Sequence, residues 1–165
     1  MVTAYLALGS NLGDREKILK GARHALNAAP GVRVTACSPL YQTEPVGGPE
    51  GQGPYLNAVL EVETELPAPD LLQCCLAVET RFGRQREERW GARTLDVDLL
   101  FWGEETRCAT DLVIPHPRMH LRRFVLTPLR DLAPNLVHPL LGRTVCELLA
   151  DLPQRDGVSR FLENW

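Results

Sequence analysis

At 165 residues, with 44% hydrophobic and 24% charged residues, the chain carries enough apolar material for one globular core and is too short for two full domains. Its formal net charge of -3 excludes the broad basic surface of a general nucleic-acid or anionic-membrane binder. No run approaches the roughly 18 to 20 consecutive apolar residues of a membrane span, and Met1 leads into a strand-like run instead of a leader peptide, so a cytoplasmic protein with one domain over residues 1–165 is predicted.

Val2 to Leu8 reads as a strand, with Val2, Ala4, Leu6 and Leu8 on one parity, ending at the turn-prone Gly9-Ser10-Asn11-Leu12-Gly13. Asp14 caps a helix in which Ile18, Leu19, Ala22, Ala25 and Leu26 fall at helical spacing, and Pro30-Gly31 stops it. A second strand is predicted from Val32 to Tyr41. Thr43 to Pro54 holds four glycines and three prolines and is predicted as a long loop of functional character.

Tyr55 to Thr64 alternates as a half-buried strand, with Leu56, Ala58, Leu60 and Val62 opposed by Asn57, Glu61 and Glu63. Pro67 and Pro69 suit a helix start, and Leu71, Leu72, Cys75, Leu76 and Val78 supply its apolar face before Gly83. A basic connector, Arg84 to Arg93, precedes a strand from Leu95 to Trp102, after which Gly103 turns the chain toward a short return strand near Arg107. Two helices are predicted near the end, Arg122 to Leu132 and Thr144 to Leu152. This order predicts an α+β fold of the ferredoxin-like type, a mostly antiparallel sheet packed with helices. The five cysteines form no Cys-x-x-Cys pair and are expected to be buried free thiols.

The chemistry centres on Asp96 and Asp98. Two apart on a strand, they project from one face at roughly 7 Å Cα spacing, while Leu95, Val97 and Leu99 face the core. Hard oxygen donors of this kind favour magnesium, which takes its remaining ligands from water and phosphate. Arginines immediately upstream compensate the paired charge or grip phosphate oxygens, and Trp90 among them needs a flat partner, whether a ring ligand or the core. No Gly-x-x-x-x-Gly-Lys phosphate loop and no Gly-x-Gly-x-x-Gly fingerprint is present. His116 and His120 have zinc-helix spacing, but Pro117 intervenes and no Glu follows His116, so a hydrogen bond to phosphate suits one of them better.

The run Arg89-Trp90-Gly91-Ala92-Arg93-Thr94-Leu95-Asp96-Val97-Asp98-Leu99-Leu100 resembles the signature of the 6-hydroxymethyl-7,8-dihydropterin pyrophosphokinase family. Matches continue at Ala7 to Gly13, Tyr41 to Pro45, Tyr55-Leu56-Asn57 and Pro115 to Met119. The chain departs from that pattern at Ala92, where proline is usual, and in the acidic Glu87-Glu88 within the basic loop. The resemblance implies a monomeric ferredoxin-like enzyme of folate synthesis that transfers pyrophosphate from ATP to the pterin hydroxymethyl group. It implies two magnesium ions on Asp96 and Asp98, with Arg84 and Arg93 joining them as catalytic residues. For ATP it points to Arg84, Arg89, Arg93, His116 and Arg122, and for the pterin to Thr43, Val46, Tyr55, Asn57, Trp90 and Phe124. The expected partners are thus small molecules, with no nucleic acid and no membrane. The competing readings are another magnesium-dependent transferase and a noncatalytic ligand-binding module.

Overall fold

The structure, a computed structural model, describes residues 1–44, 53–83, 94–153 and 157–165. Its strands are β1 (Val2–Ser10), β2 (Val32–Cys37), β3 (Leu40–Thr43), β4 (Tyr55–Thr64), β5 (Asp96–Trp102), β6 (Arg107–Cys108), β7 (Val113–Ile114) and β8 (Val158–Leu162). The helices are α1 (Arg15–Ala28), α2 (Ala68–Arg81), α3 (Arg123–Leu132) and α4 (Val145–Asp151), with a 3-10 turn at Met119–Leu121. The main sheet runs β5-β1-β4-β3-β8, with β2 also paired to β4, and every pairing is antiparallel. This is the ferredoxin-like α+β arrangement expected from the order of elements.

Three layers follow from the burial pattern. Leu6, Leu8, Leu60 and Val62 on one face of the sheet pack with Leu19 and Leu26 of α1 and with Leu71 and Cys75 of α2. Tyr5, Val59 and Phe101 on the other face pack with Leu126 and Leu129 of α3 and with Leu148 and Leu149 of α4. Because helices cover both faces, β4 is buried almost throughout instead of alternating, and Asn57, read in the sequence as facing polar surroundings, is buried.

Local chemistry sets the element ends. Asp14 accepts from the Lys17 amide at 3.2 Å to cap α1, and Thr144 with Glu147 forms a reciprocal capping box on α4. The single strand expected over 32–41 is two strands, because Pro39 has no amide to give the ladder. Ser38 repairs the break: its amide donates to the Val59 carbonyl, and its hydroxyl accepts from the Val59 amide, each at 2.9 Å. Thr43, expected to open the long loop, still belongs to β3, and most of that loop, residues 45–52, lies outside the described residues.

Two further differences are physical. The short strand at Arg107 pairs with β7 in a separate hairpin instead of returning to the main sheet. The strand β8 shows no buried alternation for a periodicity reading to find; it exists because its backbone completes β3. The cysteines are free, as expected, but only Cys75 is buried. Cys37, Cys108 and Cys146 are exposed, on a short strand next to the surface, a two-stranded hairpin and the outer side of a short helix.

The helices α1 and α2 meet closely at Gly21, where a Cβ would lie 2.6 Å from the Phe82 ring. Alanine there normally adds about 1 kcal/mol of helix propensity over glycine, but overpacking costs about 1–3 kcal/mol. Gly21→Ala should therefore lower stability in urea denaturation. The same change made in a Phe82→Leu background should be neutral or stabilising, because the obstructing ring is gone.

Candidate active site

The site is organised by the register of β1 with both of its neighbours. Gly9 pairs with Asp96 on one side and with Asn57 on the other, and Asn57 in turn pairs with Tyr41 of β3. Directly paired residues project to the same side of an antiparallel sheet, so Asp96 and Asn57 share a face two strand spacings, about 10 Å, apart. Gly9 keeps the floor between them open: a Cβ there would sit 3.0 Å from Asn57 Oδ1 and 3.7 Å from the Tyr55 ring. Asp98 pairs with Ala7 and lies on this same face.

On the β3–β4 side, Asn57 Nδ2 donates to Thr43 Oγ1 at 2.6 Å, with both residues buried. This bond fixes the amide orientation and leaves Oδ1 toward Gly9. Tyr55, two residues before Asn57 on the same strand, is half-buried and close to Gly9. The structure thus gathers three of the expected pterin residues, Thr43, Tyr55 and Asn57, in one place. The neighbouring Tyr41 hydroxyl donates to Asp131 of α3 and accepts from Arg160 of β8 at 3.1 Å, tying helix and C-terminal strand to β3. Burial and the Asp131 carboxylate raise the Tyr41 pKa, so the phenol stays protonated as a donor.

On the β5 side, Leu95, Val97 and Leu99 are buried in the core while Asp96 and Asp98 are only half-buried, as the alternation requires. Glu79, a residue the sequence reading did not single out, holds this strand in place. It is 3% exposed, and its Oε2 accepts the Val97 amide at 2.8 Å, between the two aspartates. Its signal was present in the sequence: Leu71, Cys75, Val78 and Glu79 fall at helical spacing, which puts a carboxylate on the apolar face of α2. A cleft of about 310 Å³ opens beside it, bounded by α2, β5 and the β6–β7 hairpin, and includes Asp98 and His116 in its lining.

His116 is held near Asp98 by its amide, which donates to the Leu100 carbonyl at 3.0 Å. Its Nδ1 accepts the Arg118 amide at 3.2 Å, which places the ring proton on Nε2. Burial first, then Arg122 and Arg118, lowers its pKa to about 4. His116 is therefore a neutral N–H donor at neutral pH. Arg122 stands at the start of α3 with its guanidinium 5.7 Å from the Phe124 ring centroid. Phe124 is half-buried against the α3–α4 side of the core. Of the other residues expected in the site, Val46, Arg84, Arg89, Trp90 and Arg93 lie outside the described residues.

The fold and the site together define a ferredoxin-like α+β protein with an acidic pair and a buried amide set on one sheet face. Residues 5–134 match the family described as 7,8-dihydro-6-hydroxymethylpterin-pyrophosphokinase (HPPK), and the chain belongs to that family. It is 45% identical over 152 residues to the 2-amino-4-hydroxy-6-hydroxymethyldihydropteridine pyrophosphokinase of Methylorubrum extorquens, covering 92% of this chain and 94% of that one. The Bacillus subtilis protein of the same name is 40% identical over 162 residues, covering 98% and 96% respectively. Among solved structures, a Plasmodium falciparum HPPK-DHPS triple mutant with pteroate aligns at a TM-score of 0.72 and 16% identity, over 90% of this chain. This chain spans 43% of that longer protein, and the likeness is one of fold.

Two outcomes follow from this geometry. Glu79→Leu removes the acceptor of a buried amide, which costs about 1–3 kcal/mol. Denaturation should show that loss, with faster hydrogen exchange at Val97, whereas Glu79→Gln should retain most of the stability and protection. For His116, NMR titration of the free protein should give a pKa near 4. Because this folded value lies below the ordinary one of about 6.5, the unfolded chain binds the extra proton first. Stability should therefore fall as pH drops from about 6.5 toward 4, and His116→Gln should flatten that part of the curve.

Proposed function

We propose that the chain transfers pyrophosphate from ATP to 6-hydroxymethyl-7,8-dihydropterin, giving AMP and the pterin diphosphate, as an ATP-dependent diphosphotransferase of folate biosynthesis. The observation that carries this reading is the row Asp96, Gly9, Asn57 across three adjacent strands. It sets a phosphate-side acid and an acceptor-side amide about 10 Å apart on one face, with an open floor between them. Two substrates can meet on such a face.

On the acceptor side, Asn57, locked by Thr43, offers its amide to the donor and acceptor edge of the pterin, and Tyr55 and Phe124 offer ring faces for stacking. Val46 and Trp90 complete the pterin set in this reading. On the donor side, the neutral His116 presents Nε2–H to a phosphate oxygen, and Arg122 adds a fixed cation. Arg84, Arg89 and Arg93 are read as the further phosphate clamp, Arg84 and Arg93 being catalytic together with Asp96 and Asp98.

The donor set on β5 suits magnesium: two hard carboxylate oxygens leave the other coordination positions to water and phosphate. Two magnesium ions held by Asp96 and Asp98 would supply charge neutralisation on the triphosphate and acidify the attacking hydroxyl. The pterin hydroxyl oxygen forms a bond to the β-phosphorus, the bond from that phosphorus to the α-bridging oxygen breaks, AMP leaves, and the hydroxyl proton passes to solvent. The residues of the sheet contribute position and charge, and none of the described ones acts as a dedicated general base. No described helix is long and apolar enough to cross a membrane. A single unit over 1–165, working as a monomer in the cytoplasm on small molecules alone, completes the reading.

Purified protein supplied with magnesium, ATP and the reduced pterin should form AMP and pterin diphosphate only when the pterin is present. Asp96→Ala and Asp98→Ala, still folded by thermal melting, should each lower kcat/KM by about a thousandfold, the scale of removing electrostatic stabilisation of the transition state. Release of ADP, or wild-type turnover retained in both variants, would overturn the assignment.

A further inference from the structure

We infer that Tyr41, held between Asp131 of α3 and Arg160 of β8, is a positioning residue for the acceptor: it fixes the Asn57 amide from the side opposite Gly9 and so sets how tightly the acceptor is held. This rests on the reading above, in which Asn57 and Thr43 take the pterin.

The row that organises the site does not end at Asn57. In register it runs Asp96, Gly9, Asn57, Tyr41 and Arg160, one residue from each of β5, β1, β4, β3 and β8. Direct partners in an antiparallel pair share a face, with Cβ atoms about 4.5–5.5 Å apart, so Tyr41 stands beside Asn57 as its cross-strand neighbour. Asn57 therefore has the open floor of Gly9 on one flank and the buried Tyr41 on the other. The terminal torsion of an amide side chain is broad, and the bond to Thr43 holds only one of its N–H groups. A fixed wall on the Tyr41 side supplies the remaining constraint.

That wall needs support, because β3 has only four residues and follows Pro39, which gives the ladder no amide. The strand β8 backs it along its length. Arg160 pairs with Tyr41 and Val158 with Thr43, while the Glu44 amide donates to the Gly157 carbonyl at 3.3 Å. Past the other end of β3, Trp165 Nε1 donates to the Ser38 carbonyl at 2.7 Å.

The phenol is pinned at its far end as well. Its hydroxyl donates to the Asp131 carboxylate and accepts from Arg160 Nη2 at 3.1 Å, and the two charged groups lie 3.8 Å apart. Charge-assisted bonds on both sides hold the ring in one orientation. Asp131 sits on the helix that also carries Phe124, so the same hydroxyl relates the Phe124 helix to the Asn57 strand. These contacts also stitch α3 and β8 to the sheet, so ligand placement has to be separated from stability.

The experiment measures kcat and the separate KM values for pterin and ATP in the wild type, Tyr41→Phe, Arg160→Met, Arg160→Lys and the double variant Tyr41→Phe/Arg160→Met, with melting temperatures alongside. Tyr41→Phe should raise the pterin KM about tenfold, the scale of one hydrogen bond, with kcat and the ATP KM within about twofold of wild type. Arg160→Met, at a half-exposed position, should raise the pterin KM about threefold, and Arg160→Lys, which keeps a charged donor, should restore most of it. The double variant should match Tyr41→Phe alone, because Arg160 acts through the hydroxyl. If Tyr41→Phe does not fold, the two Arg160 variants decide the question. An unchanged pterin KM in Tyr41→Phe and Arg160→Met, or equal rises in both KM values that track a lower melting temperature, would overturn the positioning role while leaving pyrophosphoryl transfer intact. Absence of AMP from the wild type would overturn the transferase reading and this inference with it.

Discussion

The antiparallel register that sets Gly9 between Asp96 and Asn57 is the constraint on which the site depends. Pairing in a sheet is all or nothing: a slip of one residue turns every side chain of a strand to the opposite face. A slip of β1 against β5 would put the aspartates under α2, and a slip against β4 would bury the Asn57 amide on the wrong side. The apolar residues of the same strands enforce the register, since Leu6, Leu8, Leu60, Val97 and Leu99 must all reach the α1–α2 face of the core. Packing on one face thereby fixes the chemistry presented on the other.

The strand β5 shows how the fold resolves a conflict between those demands. Leu6 pairs with Leu99 and Tyr5 with Phe101, which leaves Leu100 as an extra residue. Before the bulge, alternate residues place Asp96 and Asp98 opposite the α1–α2 core; after it, Phe101 can join Leu100 against α3 and α4. Glu79 acts just ahead of the bulge, satisfying the Val97 amide on the outer side of β5, where the strand, among the described residues, forms the edge of the sheet. One buried carboxylate thus serves the backbone between Asp96 and Asp98. The cleft beside them is bounded by elements from three separate parts of the chain, α2, β5 and the β6–β7 hairpin.

Several features of the site were legible in the sequence for identifiable reasons. Two aspartates flanked by Leu95, Val97 and Leu99 can satisfy a strand in only one way, acids out and aliphatics in. Asp14 before a run of helical spacing, and Thr144 three residues before Glu147, announce helix starts because capping is local. Other features resisted the same reading. Asn57 looked solvated because its strand alternates, and only the folded chain, which sets it against Thr43 and Gly9, made it buried. Ser38-Pro39 looked like part of a strand, because the side-chain repair of the ladder needs Val59 from twenty-one residues away.

What the sequence determined by itself is what depends on neighbours in the chain: helix caps, strand alternation, the acidic pair and its phase, and the kind of ligand such donors suit. What only the tertiary structure decided is what depends on residues distant in the chain. That covers the row linking Asp96 to Asn57, the approach of Glu79 to Val97, the neutral state of His116 beside Arg122 and Arg118, and the pairing of β8 with β3. The physical reason is the range of the forces. Hydrogen-bond geometry and side-chain periodicity act over a few residues, whereas burial, desolvation and strand partnership exist only after the chain has closed on itself.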